Sequence, residues 1–84
     1  MSESAERSSL RALLDETLTG GLPEAWDDDA PLVDAGLDSV AVLGLVARIE
    51  ERLGLTLADE DLDARYFATV SQLLALLARR SVRG

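Results

Sequence analysis

The chain has 84 residues, no cysteine and no histidine, and 16 acidic against 8 basic residues, for a formal net charge of −8. This length makes one small domain, and the missing residue types exclude disulfides, Cys/His zinc sites and Ser–His–Asp or Cys–His catalytic arrangements. The negative charge argues against a nucleic-acid partner. We therefore expect no enzymatic activity, and the lack of a long apolar run predicts no membrane partner and a cytoplasmic location.

The first predicted element is an amphipathic helix in AERSSLRALLDETLTGG, residues 5–21. Its leucines recur every three or four residues, the spacing of one helix face, and Gly20 and Gly21 are expected to end it. These leucines are Leu10, Leu13, Leu14 and Leu18.

Residues 20–38 show no period, and Pro23, Pro31, Gly36 and the acidic run 27–29 interrupt any regular element. A connection of this length inside a small domain is uncommon unless it is functional or packs on itself. We therefore predict an ordered loop. Its expected core anchors are Leu22, Trp26, Leu32, Val33 and Leu37.

A second helix is predicted from Asp38, a good N-cap residue, to about Leu53, with Gly54 as its stop. This helix is apolar on two faces. A second stripe begins beside Ser39 and either is covered by the loop and a short neighbouring helix or binds a partner protein. The core stripe is Val42, Leu45, Val46, Ile49 and Leu53, and the second stripe is Val40, Leu43, Gly44 and Ala47.

The remaining residues predict a short helix near 59–65 and a last helix that starts at a capping box formed by Thr69 and Gln72. Cations at its end, Arg79 and Arg80, suit the helix dipole. The apolar stripe of this last helix is Val70, Leu73, Leu74 and Leu77. The chain is therefore expected to form an all-α, small four-helix bundle of three longer helices and one short one, a single domain over 1–84 with its core at about 5–80.

Two acidic clusters raise the question of a metal site. Asp59, Asp61 and Asp63 match the opening of a calcium loop, but Ala64 and Val70 stand where that loop needs glycine and glutamate. The run 27–29 is followed by Ala30 and Pro31 and fails in the same way. We interpret both clusters as solvated acidic faces and predict no metal site.

Ser39 lies at the expected start of the second helix. Serine in such a position commonly serves only as capping chemistry. A helix N-terminus also favours a bound anion, so a phosphodiester on the Ser39 oxygen would be stabilised there. Gly36 is expected to permit a tight approach, and Leu37 to hold the turn against the core.

The segments DAGLDSV, GLTLADEDL and FATVSQLLALL resemble the acyl and peptidyl carrier protein family, and the likeness runs from the first helix to Arg80. The family signature G-[LIVM]-D-S-[LIV] is matched at residues 36–40. The resemblance implies that a phosphopantetheinyl transferase attaches 4'-phosphopantetheine from coenzyme A to Ser39, with Asp38 as the acidic residue that the transfer needs. Gly36 and Leu37 complete the expected cofactor-binding turn. An acyl or aminoacyl group would then be carried as a thioester.

One departure from the family concerns the pathway. Fatty-acid carriers usually have acidic residues early on this helix, whereas here no charge precedes Arg48. This favours a carrier in polyketide or nonribosomal peptide biosynthesis, with a loading ligase or acyltransferase and condensing or tailoring enzymes as partners. The Met1 start and the stop soon after the last helix are expected for a discrete carrier, although an excised domain would look the same, and we expect a monomer. The alternatives are an aminoacyl or peptidyl carrier loaded by an adenylating ligase, and an unmodified helical interaction module.

Overall fold

The computed structural model describes residues 3–81, and within this range it contains three α-helices, three short 3₁₀ turns and no strand. The helices are α1 (Glu3–Thr17), α2 (Ser39–Leu53) and α3 (Val70–Ser81). The 3₁₀ turns are Leu32–Ala35, Asp59–Asp61 and Ala64–Phe67. The expected all-α bundle is confirmed. None of these helices combines the length and apolarity needed to cross a lipid bilayer.

The core lies where α1 packs against both α2 and α3. All four leucines predicted for the first helix are buried, although Leu18 lies just beyond the end of α1, and Leu45 and Ile49 of α2 are buried as well. In α3 the prediction missed Leu76, which is buried beside Leu77. Several predicted core residues are only partly buried at the margin of this core: Val42, Val46, Leu53 and Leu74.

The predicted boundaries of α2 are confirmed. Its N-cap is Asp38, and Gly54 ends it in the left-handed conformation with a φ of 68°. The predicted cap of α3 is also present, since the Gln72 N–H donates to Thr69 Oγ1 at 3.1 Å. The first helix ends earlier than expected, at Thr17, whose hydroxyl donates to the Leu13 carbonyl at 2.7 Å.

The loop between α1 and α2 is ordered by one arginine and a few apolar anchors. The Arg11 guanidinium donates to the carbonyl oxygens of Trp26, Pro23 and Glu24 at 3.0–3.1 Å. It also pairs with Asp28 at 3.1 Å, so the interpretation of residues 27–29 as a solvated face is wrong for Asp28. The buried anchors are Leu32 and Leu37, and the partly buried ones are Leu22 and Trp26.

The prediction of Val33 as a core anchor is wrong, because its side chain is 69% exposed. Residues 32–35 form a 3₁₀ turn in which adjacent side chains point in different directions. Burial of Leu32 therefore turns Val33 toward solvent.

The predicted short helix near 59–65 is instead two separate 3₁₀ turns. Asp61 Oδ2 accepts a hydrogen bond from the Ala58 N–H at 2.9 Å, and Asp63 Oδ1 accepts one from the Arg65 N–H at 3.0 Å. Such local side-chain-to-backbone bonds compete with a continuous helix. The interpretation of this segment as a solvated acidic face is wrong for Asp61, which is buried.

Candidate functional site

The start of α2 presents Ser39 as an exposed side chain on the first helical residue. The cap is made by its neighbour, since Asp38 Oδ1 accepts from the Ala41 N–H at 2.8 Å and the Asp38 carbonyl accepts from the Val42 N–H at 2.9 Å. Within residues 3–81 the Ser39 hydroxyl has no hydrogen-bond partner. Asp38, and not Ser39, therefore caps α2. The Ser39 oxygen is free for other chemistry.

The turn before Ser39 is held by backbone hydrogen bonds and one buried side chain. The Gly36 N–H donates to the Val33 carbonyl at 3.0 Å, and the Leu37 N–H donates to the Leu32 carbonyl at 3.1 Å. Leu37 is 6% exposed, which confirms that it holds the turn against the core. These bonds fix the direction in which the chain enters α2.

Gly36 is favoured here by its backbone conformation. A Cβ at this position would meet no atom of the protein within 4 Å, so no packing inside the protein requires glycine, and the expected tight approach of the phosphodiester stays a prediction. The φ of 100° is what favours glycine, because L-residues with a side chain rarely adopt that conformation.

A cleft of about 410 Å³ lies beside Ser39. Its lining comes from the first loop, the start of α2 and the turn Ala64–Phe67, and is mostly apolar. The residues that line it are Pro31, Val33, Leu37, Asp38, Ser39, Val42, Ala64, Phe67 and Ala68. Sequence reasoning missed residues 64–68 as neighbours of Ser39, because no local pattern places two segments so far apart in the chain beside each other.

The second apolar stripe of α2 is largely uncovered. Val40 is 77% exposed and Leu43 is 66% exposed, and Ala47 is exposed as well. The alternative in which the loop and the short helix cover this stripe is therefore wrong for these residues. Gly44 is instead partly covered by α1, since a Cβ there would lie 3.8 Å from Thr17 Cγ2.

Two carboxylates of the bundle, Asp61 and Glu16, have lowered pKa values. Hydrogen bonding from Arg80, with support from Ala58 and Arg79, lowers the pKa of Asp61 below its ordinary value, although burial opposes this shift. A hydrogen bond from Arg52 lowers the pKa of Glu16. Both groups therefore stay ionised at neutral pH as members of ion pairs. In residues 3–81 no three carboxylates are grouped so that they could hold a metal ion.

The family model described as "Phosphopantetheine attachment site" matches residues 8–77, which is most of the chain and includes the start of α2. The chain belongs to this family. It is a carrier protein with a 4'-phosphopantetheine prosthetic group. No curated protein sequence matches it. Members of this family are generally non-catalytic tethering proteins that interact with transferases and biosynthetic enzymes.

The residues at the start of α2 fit this prosthetic group. The Ser39 side chain is exposed, and its oxygen carries no internal hydrogen bond that attachment would break. The first N–H groups of a helix lack intrahelical acceptors and suit a phosphodiester. When bound, the group supplies the thiol on which an intermediate is held as a thioester.

Proposed function

We propose that Ser39 is the attachment residue and that this carrier protein holds an acyl or aminoacyl intermediate as a thioester. The observation that carries the proposal is the division of roles at the start of α2. Asp38 supplies the cap, which leaves the Ser39 hydroxyl exposed and unbonded at the positive end of the helix. The signature in residues 36–40 and the family match over residues 8–77 support the same residue.

The proposed role of Asp38 in the transfer is compatible with its role as the cap. Only Oδ1 accepts the bond from the Ala41 N–H, and the residue is exposed. The second carboxylate oxygen therefore remains available to the transferase while the first stabilises the helix. The same exposed turn lets an enzyme approach the Ser39 oxygen directly.

Intact mass spectrometry tests the attachment. The protein is incubated with coenzyme A and a promiscuous phosphopantetheinyl transferase, and its mass is measured before and after. We expect one added phosphopantetheinyl group in the natural chain and none in Ser39→Ala. Ser8→Ala is the matched control, because Ser8 is an exposed serine on α1, and this variant should be modified like the natural chain.

An unmodified natural chain, with a second carrier modified in the same tube, would leave the helical interaction module as the function. Modification of Ser39→Ala would move the attachment to another residue. Either result contradicts the proposal.

We further propose that the pathway is polyketide or nonribosomal peptide biosynthesis. Arg48 is the first charged residue of α2, and the stripe that begins beside Ser39 is apolar and exposed. A partner that docks there must present apolar surface, which differs from the basic patches that bind fatty-acid carriers. Loading of the modified protein by a polyketide acyltransferase or by an adenylating ligase supports this, and loading only by fatty-acid enzymes contradicts it.

The proposed docking surface consists of Val40, Leu43, Gly44 and Ala47, and the exposure of Val40 and Leu43 supports it. Leu43→Glu places a charge in this surface and should impair acyl transfer from partner enzymes, because an interface core excludes unpaired charge. Its circular dichroism should remain helical. Ala12→Glu adds the same charge at an exposed position of α1 and should leave transfer unchanged. Equal transfer by both variants would remove Leu43 from the docking surface.

A further inference from the structure

The turn Asp59–Asp61 carries a buried carboxylate that the proposed function does not use. Asp61 is 0% exposed, although Asp59 and Glu60 beside it are exposed. A charged side chain is rarely buried this completely unless it is paired. Its partners therefore show what this turn is attached to.

Two arginines from the last turn of α3 hold the Asp61 carboxylate. Arg80 Nη2 lies 2.7 Å from Oδ2 and 2.9 Å from Oδ1, and Arg79 Nη2 lies 3.1 Å from Oδ1. The Ala58 N–H donates to Oδ2 at 2.9 Å. We call Asp61, Arg79 and Arg80 the Asp61 clamp. It joins the turn Asp59–Asp61 to the C-terminal end of α3.

The clamp also contacts the turn that lines the cleft. The Arg79 guanidinium lies 5.0 Å from the centre of the Tyr66 ring, and the Arg65 guanidinium lies 5.4 Å from it, both within cation–π range. Tyr66 belongs to the turn Ala64–Phe67, and the first and last residues of that turn line the cleft beside Ser39. Arg79 therefore links Asp61 to the cleft wall formed by Ala64 and Phe67.

We propose that Asp61 is a positioning residue, which holds this cleft wall in place beside Ser39 through Arg79 and Arg80. Its relevance to the prosthetic group rests on the proposed attachment at Ser39. The positioning itself concerns only the fold of the unmodified chain. Without the carboxylate, the Ala58 N–H loses a charged acceptor and both guanidinium groups can turn to water. Residues 58–67 would then keep the core packing of Phe67 and Tyr66 but lose this charged attachment to α3.

The experiment compares Asp61→Asn with Asp59→Asn by NMR on the unmodified protein. Asp59 is the matched control, because it lies in the same turn and its side chain is exposed. In Asp61→Asn the Ala58 amide should exchange with solvent about tenfold faster, since a neutral acceptor binds an N–H more weakly than a carboxylate does. The methyl signals of Leu37 and Val42 should also shift, because they share the cleft with the Phe67 ring. Asp59→Asn should change neither.

Arg80→Gln is the second variant, and it should show part of the same effect because Arg79 still reaches the carboxylate. Ile49→Val controls for a general loss of stability, since Ile49 is buried in α2 and makes none of the clamp's hydrogen bonds. Asp61→Asn with a lower melting temperature but unchanged Leu37 and Val42 methyl signals would overturn the proposal. Because no step needs a modified Ser39, this result is separate from a failure of the attachment test.

Discussion

At the scale of single residues, Asp38 and Ser39 divide two roles that the sequence alone leaves combined. Either residue type could cap a helix, and the resemblance alone does not say which of them does. In the structure the cap bond from the Ala41 N–H goes to Asp38 Oδ1. The serine oxygen is therefore available, and the aspartate has both a structural role and a proposed role in the transfer.

These two roles of Asp38 can be separated by substitution. Asp38→Asn keeps an oxygen that accepts from the Ala41 N–H, so its stability should stay close to that of the natural chain. Its modification by the transferase should fall, because the carboxylate charge is lost. Asp38→Ala should lose both the modification and about 1 kcal/mol of stability. Urea unfolding measures the stability, and intact mass against time measures the modification.

An Asp38→Asn variant that is modified at the natural rate would show that the transfer does not need the carboxylate. A stable Asp38→Ala variant would show that the cap contributes little.

At the scale of the element, α2 is apolar on two faces, of which one packs in the core and the other is exposed. Leu45 and Ile49 enter the core, while Val40 and Leu43 remain exposed around the start of the helix. Gly44 lies between these faces and next to α1, where a Cβ would have Thr17 Cγ2 at 3.8 Å. This distance is an ordinary van der Waals contact, so α1 leaves room for a methyl group at Gly44, and the close approach of a partner there stays a prediction.

Gly44→Ala tests this view of α2. The nearest atom to an added Cβ is Arg48 Nη1 at 3.3 Å, the end of a flexible side chain that can move aside. Alanine is a better helix former than glycine, so the variant should be about 0.5–1 kcal/mol more stable in urea unfolding. Acyl transfer from partner enzymes should fall, because the added methyl group hinders the close approach of a partner at the proposed docking surface. A destabilised variant would show that α1 and α2 are too close for a methyl group, and unchanged transfer would remove Gly44 from the docking surface.

At the scale of the whole molecule, side chains distant in the chain hold the irregular segments to the helices. Arg11 of α1 orders the first loop by donating hydrogen bonds to the carbonyl oxygens of that loop. Asp61 joins the later turns to Arg79 and Arg80 of α3. Glu16 and Arg52 join α1 to α2 at 2.8 Å, but both side chains are exposed. Solvent screens such an exposed pair, so the buried Asp61 should matter more for stability.

The lowered pKa of Asp61 predicts a loss of stability in acid. Because the folded pKa lies below the ordinary value of about 4, the unfolded chain takes up its proton first as the pH falls. The stabilisation by Asp61 is therefore complete at neutral pH and is lost as the pH falls below about 4 toward the folded pKa. Urea unfolding at pH 7 and at pH 3, at constant ionic strength, measures this loss.

Asp61→Asn should be about 2 kcal/mol less stable than the natural chain at pH 7, and it should lose less stability between the two pH values. Glu16→Gln is the control, since the pKa of Glu16 is also lowered but its pair is exposed, and its pH dependence should stay close to the natural one. Equal losses in the natural chain and Asp61→Asn would assign the acid sensitivity to other carboxylates.

The sequence by itself determined the three long helices and the place of Ser39 at the start of α2. These follow from local signals, since leucine spacing, caps and glycine stops act over one or two turns. Tertiary structure alone decided that Val33 points outward, that Asp61 is buried and that Phe67 lies in the cleft beside Ser39. Each of these depends on contacts between segments far apart in the chain. An acidic or apolar residue in an irregular segment carries no period that would reveal which way its side chain turns.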